Sequence, residues 1–146
     1  MDCFLRRIAQ PDHIKKGRLS KRAFMCRSEE PSLSFTLIAP EVARRNFEAY
    51  HAAPWLASGD KPALCFLRED QFETAGNPRP VPDPICGEDF GDLHHAAPCP
   101  NDKAIAENLA YHATQNGMIR PLISLNKGII GWEPPVVAPP FQAWTA

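Results

Sequence analysis

Apolar and polar positions alternate in several short runs of the sequence, and this pattern predicts strands. In LSFTLI, residues 33–38, apolar side chains alternate with Ser34 and Thr36, which is the period of a half-buried strand. Other runs are extended and mostly apolar, which also favours strands. The further predicted strands are residues 3–8 (CFLRRI), 63–67 (ALCFL), 93–97 (LHHAA) and 128–132 (GIIGW).

Helical spacing dominates two longer segments. Residues 40–52 begin with Pro40, which suits a first helical position, and their apolar positions recur about every turn. The second helix is predicted at residues 102–116, where Asn101 and Asp102 supply N-cap side chains at its start and Gly117 follows its end. The apolar face of this second helix comprises Ile105, Ala106, Leu109, Ala110 and Ala113. A turn or two of helix is also predicted between Arg68 and Gly76, with Phe72 as its anchor.

Proline shapes the connections between these elements. The chain has 16 prolines in 146 residues, about twice the usual share of roughly 5%. Prolines remove backbone donors, so elements should be short, and the prolines at 78–84 predict a stiff extended connection. The sequence therefore predicts one α+β domain over residues 1–132. It has short, mostly antiparallel strands and two main helices, and a proline-rich extended tail follows at 133–146.

Composition also bears on the compartment. No run of 18 apolar residues occurs, so no membrane partner is expected. The cysteine count is odd and the spacing is wide, which favours reduced thiols and a cytoplasmic protein over a disulfide framework. The five cysteines are Cys3, Cys26, Cys65, Cys86 and Cys99.

Charge is unevenly distributed along the chain. Residues 1–27 hold eight basic and two acidic side chains, or +6, whereas the other residues hold eight basic and 15 acidic ones, or −7. A basic cluster suits the phosphates of a nucleic acid, and it equally suits an acidic protein or the chain's own acidic middle. The residues predicted to contact an anion are Lys15, Lys16, Arg18, Lys21 and Arg22.

The stretch from Pro82 to Asn116 is dense in reactive side chains. His94 or His95 beside Asp92 could perform acid–base catalysis, and Cys99 ahead of a helix could act as a nucleophile. Cys86, His94 and Cys99 form a weak candidate zinc site, although no cofactor is predicted. The alternative is a solvated acidic loop with polar histidines and small buried cysteines, so whether the protein is an enzyme stays open.

The C-terminal tail offers a second kind of site. Its proline pairs favour an extended conformation, and Phe141 and Trp144 are side chains of the type that anchors interfaces. We therefore expect these two residues to dock on another protein chain. The alternative is a frayed terminus.

Several short motifs are spread over residues 5–116. They are Arg7, His13, the run Gly17-Arg18-x-Ser20-x-x-Ala23-Phe24, Leu33-Ser34, Leu93-His94 and the helical segment IAENLAYHA. Together they resemble a group of small uncharacterised bacterial proteins. The resemblance implies a bacterial source and assigns no activity and no catalytic residue.

The sequence favours a non-catalytic subunit or adaptor of a larger bacterial assembly. Its basic N-terminal segment would meet an anionic surface, and its tail would dock on a partner protein. The alternative is a hydrolase or transferase that acts on a nucleotide or nucleic acid through the histidine and acid cluster, with or without zinc.

Overall fold

A computed structural model describes residues 2–8, 11–27, 29–38, 63–87, 91–118, 121–123 and 129–132. The predicted helix at 40–52 and the predicted docking residues Phe141 and Trp144 lie outside these ranges.

Nine short strands and two helices make up the regular structure of the described residues. The strands are β1 (Cys3–Ile8), β2 (Ile14–Lys15), β3 (Arg18–Leu19), β4 (Leu33–Ile38), β5 (Ala63–Arg68), β6 (Val81–Pro82), β7 (His94–Ala97), β8 (Pro121–Ile123) and β9 (Ile129–Trp132). The helices are α1 (Glu69–Ala75) and α2 (Lys103–Asn116), and short 3₁₀ turns occur at residues 11–13, 21–24 and 91–93.

Five strands form the main sheet, in the order β5-β1-β4-β7-β6, and every described pair is antiparallel. Two small hairpins, β2–β3 and β8–β9, stand apart from it. The predicted α+β class with short, mostly antiparallel strands is confirmed. Pro82 lies in the edge strand β6, where a missing backbone donor can face away from the neighbouring strand.

Helix α2 covers one face of the sheet. Its N-cap Asp102 accepts a hydrogen bond from the backbone N–H of Ala104, and the helix stops before Gly117, as predicted. Its predicted apolar face is buried apart from Ile105, which is half-buried. This helix packs against β5, β3, α1 and the 3₁₀ turn at 21–24.

Aromatic side chains fill the core beneath α2. The rings of Phe4, Phe35 and Phe72 meet edge to face, with centroid separations between 5.2 and 6.4 Å. Such edge contacts add about 0.5–1.5 kcal/mol per pair beyond the burial of apolar surface. Phe72 is the anchor of α1, as the sequence predicts.

A buried pair of amides joins the two helices. Gln71 of α1 and Asn116 of α2 each donate to the other's side-chain oxygen, at 3.1 and 2.7 Å. Asn116 also donates to the carbonyl of Phe66 at 2.8 Å, and the backbone N–H of Arg68 donates to Gln71. The pair therefore fixes the end of α2 against β5 and the start of α1.

Candidate anion-binding site

The main sheet divides between β1 and β4. Their pairing covers Cys3 to Leu5 of β1, and the last pair is Leu5 with Thr36. Beyond that pair, β1 continues along β5 to Ile8, and β4 continues along β7 from Leu33. The two strands therefore separate like a fork, and we use the name fork for the region where Arg6 to Ile8 and Leu33 to Phe35 are not paired with each other.

Arg6 bridges the fork with its guanidinium. Its Nε donates to the carbonyl oxygen of Ala23 at 2.8 Å, and an Nη donates to the carbonyl oxygen of Ser34 at 3.1 Å. Its Cζ also lies 5.8 Å from the ring centre of Phe24 and 5.7 Å from that of Phe35. A planar guanidinium with five donors can make both bonds at once, and an ammonium group cannot match this geometry.

Burial lowers the pKa of Arg6 from its ordinary value. Because arginine starts from a pKa above 12, the side chain keeps its charge at neutral pH. The fork therefore holds a fixed positive charge.

A cleft of about 590 Å³ opens at the fork. This volume lies within the range of roughly 300–1,000 Å³ that is typical of ligand sites. The 3₁₀ turns at 11–13 and 21–24, together with residues 25–27 and Glu30, complete its walls. The charged residues and histidines among those that line it are Arg6, Arg7, Arg22, Arg27, Asp12, Glu30, His13 and His94.

Positive charge exceeds negative charge in this lining. Arg22 pairs with Asp12 at 3.0 Å, and Nε of Arg27 lies 3.8 Å from Glu30. Both acids therefore have an arginine partner, and by count the four arginines exceed the two acids by two charges, with the histidines neutral. A concave surface with a positive surplus concentrates the field that attracts anions.

His94 is held in one tautomer at the wall of the cleft. It pairs with Thr36 across β4 and β7, so the two side chains lie on the same face. Its Nδ1 lies 2.7 Å from the carbonyl oxygen of Asp83 and 3.4 Å from a carboxylate oxygen of the same residue. A carbonyl oxygen only accepts, so Nδ1 carries a proton and Nε2 is left for a ligand.

His13 has different surroundings. Its side chain is 19% exposed, and its Nε2 lies 4.0 Å from an oxygen of Asp12. Burial lowers the pKa of His13, and Arg27, Arg6 and Arg22 lower it further, while Asp12 acts in the opposite direction. His13 is therefore mainly neutral near pH 7.

The β2–β3 hairpin forms an arm that starts at the wall of the cleft. Its turn has Lys16 and Gly17 at φ 52° and 76°, the positive values of a type I′ turn, which matches the twist of a hairpin. The residue before the arm, His13, lines the cleft, and its carbonyl accepts a 2.8 Å bond from the N–H of Ser20 after the arm. The N–H of Leu19 donates to Thr114 Oγ1 of α2 at 3.0 Å. These bonds anchor the arm at its base.

Three of the predicted anion contacts lie on this arm. Lys15, Lys16 and Arg18 are exposed, and among the described residues no carboxylate oxygen lies within 4.0 Å of their charged groups. Lys15 and Arg18 lie directly opposite each other in the ladder, an arrangement of like charges that destabilises a hairpin and that an anion would relieve. Of the other two predicted contacts, Lys21 lies 3.7 Å from Glu107, and Arg22 lines the cleft.

The histidine and acid cluster predicted from the sequence is dispersed. His95 lies on the opposite face from His94, is 8% exposed and has its ring centre 5.4 Å from that of Phe4. Asp92 is exposed in a 3₁₀ turn and is not part of the cleft lining. Alternation along β7 separates the two imidazoles, so only His94 reaches the cleft.

Cys99 forms a disulfide with Cys26 across 73 residues, with Cα atoms 5.6 Å apart. The expectation of five reduced thiols is wrong for this pair. Because its sulfur is bonded, Cys99 is not available as the predicted nucleophile or as the predicted zinc ligand beside Cys86 and His94. In the part of the chain that the structure describes, no three His, Cys, Asp or Glu side chains group as a metal site.

The disulfide bears on the cleft because Cys26 lines it. It ties this wall to the segment that precedes α2. Cys3 and Cys65 are buried thiols outside the disulfide, and burial raises their pKa to about 11 and about 12. Cys86 is free and exposed.

Sequence reasoning did not predict Arg6, Arg7 and Arg27 as site residues, although they are among the eight basic residues of segment 1–27. Their roles depend on the fork, which brings β1 next to the segment after the 3₁₀ turn at 21–24. The available signal was Arg6-Arg7 inside a predicted strand, because adjacent arginines on a strand must point to opposite faces. One of the two was therefore bound to lie on the core face and to need partners.

Comparison with known proteins gives no relative for this chain. No family model matches the sequence, and neither a curated protein nor a solved structure is significantly similar to it. Neither of the two described helices is long and apolar enough to cross a membrane.

Proposed function

We propose that this protein binds the phosphate backbone of a nucleic acid in the cationic cleft, as a subunit or adaptor of a larger assembly. The observation that carries the proposal is the positive surplus of the cleft lining, continued outward by the exposed cations of the arm. Phosphate oxygens are recognised by arginine and lysine, and release of counterions makes such contacts favourable.

A polymer fits this surface better than a small anion. The cleft could hold one nucleotide, but Lys15, Lys16 and Arg18 extend the positive surface beyond it along the arm. Several successive cations can each contact a different phosphate of one polymer, whereas a small anion would contact only a few of them. The alternative partner for this surface is an acidic protein. Short oligonucleotides would not displace such a protein from the cleft.

Fluorescence anisotropy with a labelled single-stranded oligonucleotide tests the proposal. We expect Arg18→Gln to weaken binding about fivefold, because one exposed ion pair contributes up to about 1 kcal/mol. Lys103→Gln is the matched control, since Lys103 is an exposed cation on α2 outside the arm and the cleft lining. Equal effects of the two substitutions, or no binding by the unchanged protein, would refute the proposal.

The docking role of Phe141 and Trp144 belongs to the same proposal and stays a prediction. A chain that ends at residue 133 should keep oligonucleotide binding and lose its protein partner in co-purification. If the shortened chain retains the partner, the tail does not dock there.

A cytoplasmic location also belongs to the proposal, with no cofactor required for binding. The sequence argued for a cytoplasmic location because five reduced thiols were expected. The Cys26–Cys99 disulfide removes part of that argument. Thiol trapping in freshly lysed cells, followed by mass spectrometry, tests it. A cytoplasmic protein should yield mainly reduced Cys26 and Cys99, and a fully oxidised pair would contradict that location.

A further inference from the structure

Two imidazoles with different environments line one cleft. His94 has both oxygen types of Asp83 around its Nδ1, a carbonyl at 2.7 Å and a carboxylate at 3.4 Å. These two oxygens fix the orientation of the ring and direct Nε2 away from Asp83, and the carboxylate is placed to balance the charge that the ring carries whenever Nε2 holds a proton. His13 lies among arginines and is partly buried, which favours its neutral form. His94 therefore has a carboxylate beside the ring that a proton donor needs, and His13 has the neutral ring that a proton acceptor needs.

The arginines supply the other requirement of phosphoryl chemistry. Attack on a phosphodiester places additional negative charge on the non-bridging oxygens, and fixed cations stabilise that charge. Arg6 is held rigidly by two backbone carbonyls, so its charge needs no reorganisation. Arg27 is about half exposed at the same cleft, with its side chain near Glu30, and can turn toward a phosphate.

We propose that the cleft cleaves RNA by internal transesterification, with His13 as the general base and His94 as the general acid. This inference rests on the proposed nucleic-acid binding and names its substrate. His13 takes the proton of a ribose 2′-hydroxyl, and the 2′-oxygen attacks the adjacent phosphorus. The bond from phosphorus to the 5′-oxygen breaks, and Nε2 of His94 gives its proton to that oxygen. The products are a 2′,3′-cyclic phosphate and a 5′-hydroxyl, and no oxidant, reductant or water is consumed.

RNA is the substrate that this set of groups can use. The 2′-hydroxyl provides the nucleophile from within the substrate, so two proton-transfer groups and cations are sufficient for the step. DNA lacks that hydroxyl and should bind without being cleaved. Of the sulfur groups in the lining, Cys26 is bonded to Cys99 and does not compete as a nucleophile.

The experiment uses the full chain and a DNA oligonucleotide that contains one ribonucleotide. We expect cleavage at that ribonucleotide, a 2′,3′-cyclic phosphate end by mass spectrometry and an unchanged rate in EDTA. His13→Ala and His94→Ala should each slow cleavage about a hundredfold or more, the usual contribution of a general acid or base. The all-DNA oligonucleotide should stay intact.

His112→Ala is the matched control, because His112 lies on α2 outside the cleft lining and should leave the rate unchanged. A 2′-O-methyl RNA measures binding without cleavage and checks that each variant still folds. If the protein binds this RNA but the chimeric strand stays intact, the catalytic inference is overturned and the binding function stands. If neither histidine variant slows cleavage, a different site or a contaminant is responsible. If the 2′-O-methyl RNA does not bind, both proposals fail.

Discussion

Replacement of Arg6 by methionine should open the fork at a measurable loss of stability. Methionine keeps the apolar stem of the side chain but removes both bonds to the carbonyls of Ala23 and Ser34. The bond to Ala23 is partly buried and charged, a class worth about 1.5–3 kcal/mol. The bond to Ser34 is exposed and contributes less, about 0.5 kcal/mol.

The two rings beside the guanidinium add to this loss. Contacts of a cation with Phe24 and Phe35 are each worth about 0.5–1 kcal/mol, of which methionine recovers a part through apolar contact. We therefore expect Arg6→Met to lower the free energy of unfolding by about 2–4 kcal/mol. Arg6→Lys keeps the charge, but its ammonium cannot span both carbonyls, so its loss should be intermediate.

Urea unfolding followed by circular dichroism measures these changes. The denaturation midpoint should fall for Arg6→Met while the slope m is unchanged, because the substitution acts on the folded state. Arg18→Met removes the same charge from the exposed arm and should change the free energy of unfolding by no more than about 0.5 kcal/mol. A loss for Arg6→Met as small as that of Arg18→Met would show that Arg6 does not hold the fork.

Three further predictions concern groups outside the fork. Reduction of Cys26–Cys99 frees a loop of 73 residues, so the reduced protein should lose about 4 kcal/mol of stability in urea, and a Cys86→Ser control should lose almost none. Asn116→Ala should lower the free energy of unfolding by about 2–3 kcal/mol, because it removes both bonds to the buried Gln71 amide and the bond to the Phe66 carbonyl; an effect below about 1 kcal/mol would contradict the buried network. Cys65 has an ordinary pKa of 9.0 that folding raises to about 12. Its contribution to stability should therefore be constant below pH 9 and fall as the pH rises from 9 toward 12, because the unfolded chain then releases a proton that the folded chain keeps. Titration of unfolding in urea across that range, repeated with Cys65→Ala, should show a smaller decline in the variant.

Local periodicity accounts for the elements that sequence reasoning predicted well. The strands at 3–8 and 33–38 have the predicted limits, and α2 differs by one residue because Asp102 is its cap rather than its first residue. These elements are determined by the alternation of apolar and polar residues and by capping residues. Both patterns involve residues that are only a few positions apart in the chain. Local spacing therefore carries enough information to locate them.

The cleft depends on contacts between distant residues, and local patterns do not contain these. The fork exists because β1 leaves β4 after Leu5 while it stays on β5, and no feature of either strand alone fixes that point. Pairing of Cys26 with Cys99 is equally non-local, and an odd number of cysteines argued against it. The basic segment was predicted from its charge. The separation of β1 from β4 at the fork is what brings Arg6 and Arg27 to the same cleft as that segment.

Alternation along a strand requires adjacent residues such as His94 and His95 to point to opposite faces. It could not say which ring enters the core. The register decides this, because His95 pairs with Phe35 on the face that α2 covers, while His94 pairs with Thr36. The two histidines that the sequence offered as alternative catalytic residues therefore lie in different places, with His95 in the core and His94 at the cleft.

The salt dependence of oligonucleotide binding tests the central claim most directly. If Arg7, Arg27, Lys15, Lys16 and Arg18 each neutralise one phosphate, log K should fall with log salt concentration at a slope of about −3.5 for a single strand. Replacing Arg18 by glutamine should reduce the magnitude of the slope by about 0.7, the contribution of one phosphate contact in a single strand. A cationic cleft that binds a nucleic-acid backbone predicts both results. A slope near zero in the unchanged protein, or a slope that Arg18→Gln leaves unchanged, would contradict it.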